Sequence, residues 1–164
     1  MEKNAYLTDA PILAQPFMAE FSAAAGASIL FFGIVRQLSH GKHCHYLEYE
    51  AYEPMAVEQI ESLKSEALQK WPLEQVTILH RLGRIYPGEI AVAIDVRSAH
   101  RDDAYQASRF LIEQIKHQVP IWKKEYFEDG TCAWGGCETT QSPETFDSNQ
   151  WQWSRERELA NELF

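Results

Sequence analysis

Cations are scarce in this chain. Fifteen lysines and arginines stand against 24 aspartates and glutamates in 164 residues, a formal charge of −9. Binding a phosphate backbone needs a basic field, so this shortage argues against a general nucleic-acid binder. Cysteine is rarer still: only Cys44, Cys132 and Cys137 are present, with no Cys-x-x-Cys pair. An odd, scattered set argues against a disulfide framework and favours a reducing compartment. No apolar run approaches the ~20 residues that a membrane-spanning helix needs. The opening MEKNAYLTDAPILAQPFMAE has no basic stretch leading into a long apolar run, so no secretory signal is expected. The expected address is the cytoplasm.

What is present suits one folded unit. Apolar residues make up 45% and aromatics 12%, enough for a real core in a chain of this length. The few cations are also concentrated. Residues 97–124 hold Arg97, Arg101, Arg109, Lys116, Lys123 and Lys124 against only Asp102, Asp103 and Glu113. A positive island on an acidic body points to a small anionic ligand rather than a long polyanion.

The periodicities predict alternating helices and strands. PFMAEFSAA (16–24) reads as a short helix with Pro16 in its first turn. ASILFFGIVR (27–36) reads as a buried strand, and QLSHGKH after it as a turn or mobile loop around Gly41. CHYLEYEAY (44–52) alternates, with His45, Leu47, Tyr49 and Ala51 on one face and Cys44, Tyr46, Glu48, Glu50 and Tyr52 on the other. A helix is expected over 54–71, with Met55, Ile60, Leu63, Ala67, Leu68 and Trp71 as its stripe and Pro72 as its stop. Strands follow over 75–83 and 89–99. A second helix spans 101–118, with Ala104, Ala107, Ser108, Leu111, Ile112 and Ile115 facing inward, and then a strand over 121–127. Paired strands between helices predict an α+β fold, with helices packed on a mostly antiparallel sheet.

Several residues in this frame can carry chemistry. Lys116 falls in the last turn of the second helix, where the helix dipole favours a cation by ~0.3–1 kcal/mol; the plain alternative is a solvated surface lysine. Lys123 and Lys124 are neighbours on a strand and so point to opposite faces. Whichever borders the core is partly desolvated. Desolvation and a second nearby cation lower a lysine pKa and suit it to act as acid, base or nucleophile. His100 and Arg101 stand where a strand ends and a helix opens, and backbone N–H groups at a helix start attract anions; the alternative is that Arg101 pairs with Asp102 or Asp103. Arg36 emerges where the strand over 27–36 meets its loop, the usual place of a merely solvated arginine. HGKHCH (40–45) offers zinc-ligand types, but its spacing fits no standard zinc pattern, and adjacent Cys44 and His45 face opposite ways. No thiol has an obvious activating neighbour.

Five segments then carry a resemblance. FFGIVR, LEYEAYEPMA, HRLGRIYPGE, SAHRDDAY and KHQVPIWKKEYFEDG occur in the order and spacing of the large catalytic subunit of molybdopterin synthase. The chain resembles this MoaE family over about residues 25–135. The resemblance implies a sulfurtransferase that converts cyclic pyranopterin monophosphate to molybdopterin by installing a dithiolene. The sulfur would arrive as a thiocarboxylate on the C-terminal Gly-Gly of a small ubiquitin-like partner. Two large subunits would form a central dimer within a heterotetramer, with an α/β-hammerhead fold and no cofactor. By the same resemblance Lys116 and Lys123 are catalytic. Ile34, Val35, Arg36, His100, Arg101, Lys116, Lys123, Lys124 and Glu125 line the substrate pocket. Residues 1–137 would form the catalytic domain and 138–164 a polar tail, with WQWSRERELANELF as a short helix. Where some relatives carry an arginine four residues after the tryptophan matching Trp134, this chain has Glu138. Two other readings compete: a non-catalytic module that binds a ubiquitin-like tail, and a metal-binding protein built on HGKHCH.

Overall fold

The computed structural model describes residues 5–18 and 21–135. In chain order these form β1 (Leu7–Thr8), a 3-10 turn (Gln15–Met18), β2 (Ala27–Ile34), β3 (Leu38–Ser39), β4 (Lys42–Ala51) and α1 (Glu53–Lys70). There follow β5 (Leu73–Arg81), β6 (Gly83–Ile85), β7 (Ile90–Ser98), α2 (Arg101–Gln118), β8 (Ile121–Phe127) and β9 (Cys132–Gly135). The predicted tail and its terminal helix lie outside the described residues.

The first sheet has the order β1-β5-β7-β2, antiparallel except where β1 joins β5. Its alternating strand β7 uses both faces. Val92, Ile94 and Val96 pack with Ala56, Ile60 and Leu63 of α1 and with Ala104, Ala107 and Leu111 of α2. On the other face Ile12 and Phe17 cover Ala93, with Leu30, Phe32 and Leu79 around them. Burying a large apolar side chain is worth roughly 1.5–3 kcal/mol, so this central strand anchors the fold.

The second sheet has the order β3-β4-β8-β9, with β6 also paired to β4. It meets the first through a small core of Val35, Cys44, Leu47, Ile85 and Ala91. The architecture is α+β, with two helices packed on mostly antiparallel sheets, as the sequence predicts. No helix among the described residues is long and apolar enough to cross a membrane.

Six local expectations change. Among the described residues of the helix expected over 16–24 there is only a 3-10 turn, in which Phe17 is the one buried side chain and the Phe17 carbonyl accepts from Arg97 at 2.9 Å; residues 19 and 20 lie outside the described residues. The loop after β2 is a tight hairpin, in which His40 (φ 51°) and Gly41 (φ 74°) make the left-handed pair of a two-residue turn. A register shift between Cys44 and Tyr46 moves Cys44 onto the Leu47 face, so Cys44 is buried and His45 is exposed. Met55 and Leu68 are exposed; Ala56, Ile60, Leu63 and Ala67 form the buried stripe of α1. The strand over 75–83 splits, because left-handed Gly83 (φ 75°) turns the chain into β6 and onto β4. Finally, Arg97 leaves the positive island. It is 3% exposed and its Nε donates to Asp95 at 2.9 Å, where Ser28 also donates at 3.0 Å. The edge strands β1 and β9 have two and four residues, too short to show a period.

Candidate active site

β4 and β8 pair so that Tyr49 faces Lys123 and Leu47 faces Glu125. A strand places residues two apart on one face, so Lys123 and Glu125 stand side by side. The Lys123 Nζ lies 3.1 Å from Glu125 Oε1, with the lysine side chain 32% exposed and the glutamate 3%. The second carboxylate oxygen, Oε2, accepts from the Ser39 hydroxyl at 2.8 Å. Across from Lys123 on β9 is Gly135. A Cβ there would come within 2.4 Å of Lys123 Cε and 2.9 Å of Cγ, so the missing side chain makes room for the lysine stem.

The electrostatics of this cluster are one-sided. Burial would raise the Glu125 pKa, but the Ser39 hydroxyl and the Lys123 ammonium outweigh it and hold the carboxyl below its ordinary value. Burial, then the Glu125 charge, raises the Cys44 thiol against the opposing pull of Lys123. The same two causes push Tyr49 up to about 12. At neutral pH the cluster therefore holds one buried carboxylate, one ammonium, a neutral thiol and a neutral phenol. Cys44 is not set up as a nucleophile.

Lys116 is exposed in the last turn of α2, just after buried Ile115. Val119 and Pro120 make a buried corner between α2 and β8, pinned where the Pro120 carbonyl accepts from Tyr52 N–H at 3.1 Å. The two lysines leave the two sides of this corner. Arg36 belongs to the same end of the molecule. Ile34 is the exposed last residue of β2, and Val35 is buried against Cys44 and Leu47. Val35 N–H donates to the Glu89 carbonyl at 3.0 Å, and Gly88 N–H donates to the Val35 carbonyl at 2.9 Å. Arg36 follows, exposed. A cleft of about 590 Å³ opens beside it, lined by Gln37, Cys44, His45, Pro87, Gly88 and Glu128, but not by either lysine.

Two groups of predicted site residues do not join this end. His100 is the N-cap of α2 and Arg101 its first residue, both exposed. At 1.5 Å per residue they stand roughly 22 Å from Lys116 along the helix axis. They also lie at the Ser98 end of β7, while Arg36 lies beyond its Ile90 end. Lys124 faces the other side of the second sheet, 5.1 Å from the Tyr126 ring centroid and 5.5 Å from that of Trp134. Among the described residues no three histidine, cysteine, aspartate or glutamate side chains gather as metal ligands would.

Sequence reasoning missed Ser39, Gly135 and Tyr49 as members of this cluster. Gly41 was the available signal, since a two-residue hairpin turn needs left-handed backbone that glycine adopts freely. Nothing local marked Gly135, whose role comes from its cross-strand neighbour.

Known proteins place the chain. A model of the MoaE protein family matches residues 7–118. The molybdopterin synthase catalytic subunit of Halalkalibacterium halodurans is 48% identical over 122 residues, covering 73% of this chain and 78% of that protein. The corresponding subunit of Bacillus subtilis is 49% identical over 121 residues, covering 73% and 76%. The crystal structure of molybdopterin synthase from Staphylococcus aureus matches with a TM-score of 0.76 at 40% identity, over 84% of this chain and 100% of that one. A complex of subunits 1 and 2 of the molybdopterin-converting factor from Helicobacter pylori shares the fold, with a TM-score of 0.66 at 19% identity over 84% of this chain and 92% of that one. With a family model across most of its length and relatives nearly half identical to it, the chain belongs to the MoaE family, the molybdopterin synthase catalytic subunits of molybdenum cofactor biosynthesis.

Proposed function

We propose that this chain acts as a sulfurtransferase on cyclic pyranopterin monophosphate, using sulfur from the C-terminal thiocarboxylate of a small ubiquitin-like subunit. The observation that carries the reading is the Lys123 ammonium, held 3.1 Å from a carboxylate at the corner it shares with Lys116. Both reactants are anions, and sulfur attack develops further negative charge. Fixed cations offset that repulsion and stabilise the transition state. A lysine bridged to a buried carboxylate is a charged donor, which favours Lys123 polarising the reacting carbon or acyl group over Lys123 holding it covalently. Lys116 moves protons and stabilises the departing oxygen. In each round the thiocarboxylate sulfur bonds to a pterin side-chain carbon as the carbon–oxygen bond there breaks and the oxygen leaves with a proton. Water then cleaves the acyl–sulfur bond, leaving the sulfur on the pterin and releasing the partner as its ordinary carboxylate. Two rounds supply the two dithiolene sulfurs.

Arg36, His100 and Arg101 hold the phosphate, Ile34 and Val35 shape the pocket wall, and Glu125 supports Lys123. Because one chain holds Arg36 and the lysines at one end of α2 and His100 and Arg101 at the other, the pocket is completed by a second copy in a homodimer. The Helicobacter pylori protein that shares this fold is in complex with a second, different subunit, and the assembly proposed for this chain is a heterotetramer with one small partner on each copy. The setting is the cytoplasm, where the free thiols of Cys44 and Cys132 persist.

The test is reconstitution with thiocarboxylated partner and cyclic pyranopterin monophosphate. Dithiolene product should form, and should not form with the carboxylate partner. Lys123→Ala and Lys116→Ala should each lower the single-turnover rate by roughly 10²-fold or more, the scale of losing one transition-state donor. Near-wild-type rates in both would remove the assignment.

A further inference from the structure

We propose that Ser39 is a positioning residue of this reaction, aiming the Lys123 ammonium through Glu125. The proposal rests on the reading of Lys123 given above. Ser39 lies 86 residues from Glu125 in sequence, yet its hydroxyl donates to Glu125 Oε2 at 2.8 Å while Oε1 meets Lys123. The two carboxylate oxygens are thus divided between one holder and one charge. Glu125 is 3% exposed, so solvent cannot readily replace the hydroxyl.

The hairpin around Ser39 has the build of a fixed support. Ser39 pairs with Lys42 across the His40-Gly41 turn, and Cys44 N–H donates to the Gln37 carbonyl at 2.8 Å. Both turn residues occupy the left-handed region, which closes the hairpin in two residues and fixes its register. Ser39 therefore meets Glu125 at a set height.

Four groups face the Glu125 carboxylate: Lys123 on its own strand, His40 from the turn, and Cys44 and Tyr49 from β4. Cys44 and Tyr49 stay neutral near pH 7, so Ser39 is the uncharged donor that balances Lys123. Without it the carboxylate loses one of its two hydrogen-bond partners and takes up a proton at higher pH. A protonated carboxyl no longer holds the ammonium. The sign follows: removing the hydroxyl moves the acid limb of turnover to higher pH.

The experiment compares Ser39→Ala, Ser39→Thr and Lys123→Ala in the full-length chain with its thiocarboxylated partner. Two quantities are read, the carboxyl-carbon NMR titration of Glu125 and the single-turnover rate of dithiolene formation across the acidic range. Ser39→Ala should lower the rate on the order of tenfold, the loss of one hydrogen bond to a charged group, and should move both the titration and the acid limb upward. Ser39→Thr, which keeps the hydroxyl, should restore both. If Lys123→Ala is impaired but Ser39→Ala leaves the titration or the acid limb in place, Ser39 has no positioning role and the reading of the lysine stands. If Lys123→Ala turns over like the wild type, the reading of the site falls and the proposal with it.

Discussion

Lys123 and Glu125 are two residues apart on a strand, so strand geometry alone sets them on one face. What makes them a pair is the seal around them. Glu125 is 3% exposed, and an isolated carboxylate there would carry a desolvation cost of several kcal/mol. Lys123 and Ser39 offset it. Gly135 adds a steric condition, since an alanine methyl would fall within 2.9 Å of Lys123 Cγ and 2.4 Å of Cε. The Gly135 backbone is not left-handed, so Gly135→Ala costs little in the chain itself. We expect it to displace the lysine instead. Thermal unfolding should stay within about 1 kcal/mol of wild type, while the single-turnover rate falls roughly tenfold as the ammonium leaves its place. An unfolding change without a rate change would show that the slot serves packing alone.

At the scale of elements, the seam between the two sheets holds a buried histidine. His80, near the end of β5, packs its ring 5.1 Å from that of Tyr49 on β4, and its Nδ1 is hydrogen-bonded to the Arg81 carbonyl at 2.9 Å. Burial lowers its pKa from 6.5 to about 4, against the raising effect of that hydrogen bond. The folded state therefore resists a proton that the unfolded state accepts. Stability is full above pH 6.5, is lost as pH falls toward 4, and levels off below that. The loss amounts to at most about 3 kcal/mol. Urea unfolding at a series of pH values should show this decline, and His80→Gln should flatten it. The same seam shows where local reading stops. The alternation over 44–52 correctly predicted a strand, but the register shift between Cys44 and Tyr46 moved Cys44 to the buried face. A bulge is set by the partner strand, so one strand's own sequence does not mark it.

At the scale of the whole molecule, the decisive fact is the length of α2. Its 18 residues separate Arg101 from Lys116 by most of the span of the first sheet. A pocket that needs both ends must take one end from another copy. This predicts complementation. Coexpressed Lys123→Ala and Arg101→Ala chains should form mixed dimers with one intact site each. Random pairing gives about a quarter of wild-type activity from two chains that are each nearly inactive alone. Absence of recovery, with mixed dimers shown by mass spectrometry, would place the whole pocket within one chain. The charge of the molecule supports the same arrangement. Arg97, counted with the positive run in the sequence, is neutralised by Asp95 inside the fold. The cations of the proposed pocket, Arg36, Arg101, Lys116 and Lys123, are distributed over both ends.

The sequence by itself determined the order and type of the main elements, because helical and strand periods are properties of neighbouring residues. The runs around α2 and β8 were legible to the residue, and the inward face of α2 followed from spacing. It also carried the family, through five segments in order. Only the tertiary structure decided that Ser39 meets Glu125 across 86 residues and that Gly135 clears space for Lys123. These are contacts between distant segments, and their geometry depends on strand pairing and helix direction, which no local period encodes.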